Sequence, residues 1–299
     1  IVGDYAQIEI TDPELNPRFV LGLIRDVEIG PSSYTIQRRL KLAGMRPINN
    51  IVDATNYTML EIGEPLHAFD YDVLLERAKG KPVRIITRTA KPGETLTTLD
   101  NIERKLDETT VLVCDSAGAL SIAGVMGGLE SEVNATTRNV LLEGAAWNFI
   151  NIRKTSRSQN LFSEASFRFS RGVHPSMAEH GVRRGLELMR QWSGGVVADG
   201  LVDNYPLPPN DPTVVITTAD VKRSLGIDLP ASEIAELYFG SRGTTWDETI
   251  RSGVEAALAF VVMVQQQDRH ALTIYPGNHL KHILHQNGCQ PKGGLIQHQ

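Results

Sequence analysis

Cysteine is scarce in this chain: Cys114 and Cys289 are the only two in 299 residues. A disulfide framework is excluded, and the count points to a reducing, cytoplasmic setting. Long apolar runs are missing as well. The longest, Ala256 to Val264, has nine residues, whereas a membrane-spanning helix needs about 20. No signal peptide and no membrane partner are therefore expected. Aromatic residues make up 6%, and 30 cations face 35 anions for a net charge of -5. Proteins that coat nucleic acid are usually basic, so any RNA contact here must be local or shared with a partner. Nucleotide-binding glycine motifs are also lacking. The run Gly124-Val-Met-Gly-Gly128 has neither the terminal Gly-Lys-Ser/Thr of a Walker loop nor the spacing Gly-x-Gly-x-x-Gly.

What is present is ordinary for a folded protein: 41% hydrophobic and 22% charged residues, in a chain long enough for two domains. The chain opens on Ile mid-pattern and is expected to be part of something longer. The β-branched stretch Phe19 to Ile29 predicts a strand. Pro31-Ser-Ser33 predicts a helix start for Tyr34 to Ala43, ended by Gly44. Helix-compatible spacing follows from Ile51 to Leu60. Short strands are expected at Val83 to Thr89, Leu96 to Leu99, Val111 to Cys114 and Leu120 to Ala123. The glycine run reads as a tight loop, and Asn139 to Glu143 as a strand ending in its carboxylate. Helices are expected over Asn151 to Ser158 and Pro175 to Trp192. This irregular alternation predicts an α+β fold with mixed sheets.

Four prolines between Asn204 and Pro212 mark a linker over 206–212. The expected organisation is one module over 1–205, a partial second module over 213–238, and a tail over 239–299. The second module should hold a strand at Thr213 to Thr217 and helices at Asp220 to Leu225 and from Pro230 to Tyr238. The tail contains His279, His282, His285 and Cys289, which have donor types suited to zinc but not the paired spacings of a standard site. No metal is assigned. Asn134-Ala-Thr136 matches a glycosylation acceptor without other signs of secretion.

Chemistry is most densely suggested in Met45 to Tyr57 (MRPINNIVDATNY) and Pro65 to Asp70 (PLHAFD). Taken singly, Thr55, Asn56 and His67 are most simply read as satisfied core or capping groups. Together with Arg46 they suggest a pocket for a polar small molecule. His67 has one donor and one acceptor nitrogen when neutral, and Arg46 suits a phosphate or carboxylate. Glycines Gly124 and Gly127 allow close backbone approach. Glu143, after three apolar residues, is most simply read as a carboxylate at a strand's exposed end; partly buried, it could accept a hydrogen bond from a ligand hydroxyl, and a polar site of that kind rejects an analogue lacking the hydroxyl by ~10⁴–10⁵. No Ser-His-Asp or Cys-His pair is evident.

These stretches, with AGVMGG (123–128), NVLLEGA (139–145) and SFRFSRG (166–172), closely resemble the editing module of the bacterial phenylalanyl-tRNA synthetase β subunit. The similarity runs from about Asp12 to Tyr205. Residues 213–238 resemble the start of the next module, an α/β unit similar to small DNA-binding domains. The family removes tyrosine wrongly attached to tRNA(Phe). The resemblance implies that Glu143 recognises the tyrosine hydroxyl with help from His67. It implies that Gly124, Gly127, Ser163 and Ala165 shape the walls, with Ser163 where the family has Thr. Thr55 and Asn56 would position the amino acid's backbone groups or the attacking water, and Arg46 the terminal adenosine or a phosphate. Implied partners are the tRNA(Phe) 3′ end, tyrosine and a synthetase α subunit in a heterotetramer. Editing implies no cofactor; ATP and magnesium belong to the synthetic site of the whole enzyme. The rival reading is a non-catalytic module that binds an amino acid or tRNA end and serves assembly. A free-standing hydrolase would need a basic face that the net charge does not suggest.

Overall fold

The structure is a computed structural model that describes residues 1–208 and 217–234. The chain forms two compact units, Ile1–Pro209 and Asn210–Gln299. The division falls within the proline-rich stretch expected to be a linker.

The first unit is α+β and is built on two larger sheets. A mixed sheet has the order β1 (Ala6–Ile10), β4 (Val83–Thr89), β7 (Val111–Cys114), β8 (Ala119–Ile122) and β9 (Met126–Gly127). Only β1 and β4 are parallel within it. An antiparallel sheet has the order β11 (Gly194–Val197), β2 (Arg18–Val27), β10 (Val140–Ala146) and β3 (Leu66–Asp70). A further strand, β12 (Val202–Asn204), continues along the β11 side of β2. A small hairpin pairs β5 (Thr95–Thr97) with β6 (Glu103–Lys105).

The helices are α1 (Tyr34–Leu42), α2 (Asn50–Ile62), α3 (Tyr71–Arg77), α4 (Phe149–Ser158), α5 (Glu164–Phe169) and α6 (Ser176–Ser193) in the first unit, and α7 (Thr218–Leu225) in the second. Five of these seven start on short polar side chains that satisfy free backbone N–H groups. Asn49 accepts from Ile51 and Val52, Asp70 from Asp72 and Val73, and Asn148 from Ile150 and Asn151. Helix α1 begins where Ser33 predicts, yet the Ser33 side chain makes no capping bond. Gly63, at φ 83°, ends α2 in the left-handed conformation.

Strand β10 organises the unit. All seven of its residues are buried, because it is covered on both faces. Val140 and Leu142 join Val20, Ile24, Ala54 and Val182 in a core beneath α2 and α6. Leu141 and Ala145 join Phe19, Leu23, Leu112 and Ile122 in a core between the two sheets. Helix α6 lies close against β10 and β2 because glycines line the contact. A Cβ on Gly144 would stand 2.7 Å from the Ala178 carbonyl oxygen, and one on Gly22 2.6 Å from Leu186 Cδ1. Gly185 faces Leu66 and Leu142 in the same way, and Gly181 faces Glu64.

Two local expectations are corrected. Part of the glycine run forms β9, paired with β8 through Ser121↔Gly127 and Ile122↔Met126. Glu143 lies in the middle of β10, which continues to Ala146. Within the second unit, α7 is capped by Thr217 and ended by Gly226, and residues 231–234 form a helical turn. Most of the strand expected at Thr213 to Thr217, the helix beyond Ile234 and the histidine-rich tail lie outside the described residues.

Candidate functional site

A strand places alternate side chains on opposite faces. In β10 this sends Glu143 towards the mixed sheet, between Leu141 and Ala145. The register then sets a row across three strands: Glu143 pairs with Leu21 of β2 on one side and with His67 of β3 on the other. Two groups far apart in sequence thus become cross-strand neighbours in the space between the sheets.

Both are incompletely satisfied. Glu143 is 6% exposed, and its Oε2 is buried without a hydrogen-bond partner. His67 is half-buried as a residue, but its Nε2 is equally buried and unpartnered. Its ring packs edge-on against Phe69, with centroids 4.5 Å apart. Burial disfavours the charged form of each group. It pushes the Glu143 carboxyl up to about 8 and the His67 imidazole down to about 4. Both are therefore mainly neutral at pH 7, and each offers a buried hydrogen-bonding atom to a polar ligand group.

The glycine loop closes one side. A Cβ on Gly127 would collide with the His67 ring and meet Leu99 Cδ1 at 3.0 Å. Gly124 has φ +64°, and a Cβ there would lie 2.8 Å from Trp147 and about 3 Å from Ile152 and Phe169. Ser163, the N-cap of α5, donates to the Val125 carbonyl at 2.7 Å and accepts from the Ser166 N–H. Its hydroxyl therefore ties α5 to the glycine loop. Ala165 packs against the core between the sheets. His67, Glu143, Gly124, Gly127, Ser163 and Ala165 are thus brought to one region.

The first constellation is divided. Helix α2, which carries Thr55 and Asn56, packs through Ile51 and Ala54 on the opposite face of the antiparallel sheet. The Thr55 hydroxyl donates to the Val52 carbonyl at 2.7 Å. Asn56 is half-buried, and Arg46 is exposed between α1 and α2. The polar density around them has structural causes that sequence reading underestimated. Asn50 donates to the carbonyls of Glu28 and Trp192. Asp53 accepts from the Ser32 hydroxyl and the Ile48 N–H. Of the two stretches, His67 alone carries a buried polar atom left without a partner between the sheets.

Sequence reasoning also passed over the apolar wall. Leu99, Trp147, Ile152 and Phe169 all approach the glycine loop, but nothing local separates them from ordinary core. A buried carboxyl, Glu64, lies beneath α6 without a hydrogen-bond partner. Burial holds it well above the usual carboxylate range; the nearby Ala145 backbone N–H opposes the rise and Glu143 adds to it. A cleft of about 530 Å³, lined by residues including Tyr5, Arg25, Tyr71 and Lys81, opens elsewhere and contains none of the candidate residues. No helix among the described residues is long and apolar enough to cross a membrane. Among them, no cluster of His, Cys, Asp and Glu could hold a metal ion.

A family profile described as the B3/4 domain matches residues 15–194, more than half of the chain. The chain belongs to the B3/4 domain family. The matched segment contains every candidate named above. This B3/4 chain is similar to the phenylalanine–tRNA ligase β subunit of Moorella thermoacetica, at 46% identity over 78% of the chain and 28% of that protein. It is also similar to that of Symbiobacterium thermophilum, at 44% identity over 79% of the chain and 26% of that protein. The chain therefore spans about a quarter of the length of these relatives. A solved N-terminal fragment of the Pyrococcus horikoshii phenylalanyl-tRNA synthetase β subunit matches at 14% identity and a TM-score of 0.42, covering 86% of this chain and 75% of that one. That superposition is too loose to carry an argument.

Proposed function

We propose that this B3/4 chain is the proofreading part of a phenylalanine–tRNA ligase β subunit and hydrolyses the ester of mischarged Tyr-tRNA(Phe). The observation that carries the reading is the pair Glu143 and His67, cross-strand neighbours with Oε2 and Nε2 both buried and unpartnered. Buried polar atoms ordinarily find partners, so two orphans at paired positions of neighbouring strands mark a place for a ligand's polar group. A phenol fits this need. Its hydroxyl can donate to one of the two groups and accept from the other.

Phenylalanine would leave both groups unsatisfied, which is how a polar site rejects a ligand lacking one hydroxyl by ~10⁴–10⁵. Gly124, Gly127, Ser163 and Ala165 shape the walls around the ring. Water then adds to the ester carbonyl, and the tRNA 3′ oxygen departs with a proton. Positioning of that water against an activated ester supplies the catalysis. An α subunit would carry synthesis.

The second reading is a binding and assembly module without hydrolysis. Deacylation separates the two. The chain is incubated with Tyr-tRNA(Phe) and Phe-tRNA(Phe), and ester loss is followed. Faster loss of tyrosine, with the preference abolished in Glu143→Ala, is expected. No hydrolysis of either, with tyrosine still bound more tightly than phenylalanine, would leave only the binding module.

A further inference from the structure

The two helices that close the site have a second face. Ile152 of α4 and Phe169 of α5 point inward to Gly124. The outer side carries exposed aromatic rings: Phe149 is 42% exposed, Phe162 72% and Phe167 56%. Among the described residues only one other aromatic side chain, Tyr34, is comparably exposed. Three of these four rings thus lie within residues 149–167.

Cations accompany them. The Arg171 guanidinium lies 3.4 Å from the Phe167 ring centroid, and that of Arg153 lies 4.9 Å from the Phe149 centroid. Arg153 also donates to the Ser170 carbonyl at 2.7 Å, which fixes the patch across both helices. Lys154 and Arg157 are exposed on α4. Residues 149–174 contain five Lys or Arg and a single acid, Glu164, a local charge of +4 in a chain of net charge -5. This is the local basic surface that the overall charge would require of an RNA-binding protein.

We propose that the outer face of α4 and α5 is a docking platform for single-stranded RNA, carrying a 3′ end into the site between the sheets. The proposal rests on the editing reading for its ligand. Exposed rings decide between RNA and an acidic protein: unpaired bases stack on aromatic rings and on arginine planes while cations take the phosphates. An acidic polypeptide would use the cations and leave the rings bare. The platform and the glycine loop are joined through Ser163, so a strand lying on the outside would end beside that loop.

The test uses the whole chain and a fluorescein-labelled RNA hairpin with a four-nucleotide ACCA 3′ overhang, compared with the same hairpin blunt-ended. Binding is followed by anisotropy across a salt series. The overhang should bind at least about tenfold more tightly, since each stacked base contributes about 5- to 150-fold. Phe162→Ala combined with Phe167→Ala should erase that preference. Arg157→Gln should weaken both RNAs and reduce the salt slope by about 1. All these side chains are exposed, so circular dichroism and calorimetric tyrosine binding should stay as in the parent chain. Equal binding of the two hairpins, or a preference that survives loss of both rings, overturns the platform, whatever tyrosine binding shows. Stronger binding of polyglutamate than of either RNA overturns it in favour of an acidic protein partner. Failure of tyrosine to bind the parent chain counts against the editing pocket and leaves the overhang comparison readable by itself.

Discussion

Glu143→Gln should stabilise the empty protein, and by an amount that depends on pH. The substitution keeps the shape of the side chain and removes its ionisation. Burial raises the folded carboxyl from its ordinary 4.5 to about 8. Below pH 4.5 both folded and unfolded chains hold the proton, and Glu143 imposes no penalty. Between 4.5 and 8 the unfolded chain releases the proton while the folded chain keeps it, so stability falls as pH rises. The loss is about 1.4 kcal/mol per pH unit, reaching about 3 kcal/mol at pH 7 and about 5 kcal/mol above pH 8. Glutamine removes that slope. Urea unfolding of both proteins from pH 4 to 9, followed by tryptophan fluorescence, gives the difference directly. Other titrating groups are common to both proteins, except that Glu143 adds to the upward shift of Glu64, so its loss relieves Glu64 as well and widens the gap in the same direction. The gap should open above pH 4.5 and level off near pH 8. A gap that stays constant across the series would refute a proton held on Glu143 by burial.

Gly127→Ala should drive the His67 ring from its place, lowering stability by about 1–3 kcal/mol and removing any preference for tyrosine over phenylalanine in calorimetric titration. His67, held at about 4 by burial, should stay neutral from pH 5.5 to 7.5, so a pH–rate profile of deacylation should show no step from it there. Its contribution to stability is lost as pH falls from 6.5 through 4, and His67→Gln should recover up to about 3 kcal/mol in acid unfolding. Arg18 is 6% exposed and bonded to Asp203, Glu179 and the Pro175 carbonyl. Because both acids are about one-third exposed, Arg18→Met should lower stability by about 2–3 kcal/mol, measurable by the same urea titration.

Elements whose signals are local were legible in the sequence. Val111 to Cys114 is an apolar run bounded by turn formers, and its predicted limits match β7. The starts of α2 and α4 carry Asn caps, and the end of α2 carries a glycine. Strands whose reason lies elsewhere were passed over. β1 carries a local signal that was overlooked, the alternation Ala6-Gln-Ile-Glu-Ile10, whereas β11 and β12 form beside β2 with little in their own few residues to require it. The same logic governs the site. Glu143 was singled out as an acid among apolar residues, but its place in mid-strand depends on β2 and β3 pairing on both sides. The pairing of Glu143 with His67 is a fact of register, invisible to any window of sequence. Thr55 and Asn56 were grouped with His67 by nearness along the chain, and a sheet stands between their helix and the imidazole.

The glycines beneath α6 have a consequence for genetics. Gly144 follows Glu143 directly but faces the other way, onto a carbonyl oxygen that cannot give way. Random mutagenesis screened for lost function should therefore return Gly22, Gly144 and Gly185 beside the site residues, although none of them need meet a ligand. Soluble yield would sort the two groups. The helix-facing glycines should reduce the amount of folded protein, whereas Glu143→Gln should increase it. The positions least tolerant of change would then lie behind the strand that carries the site.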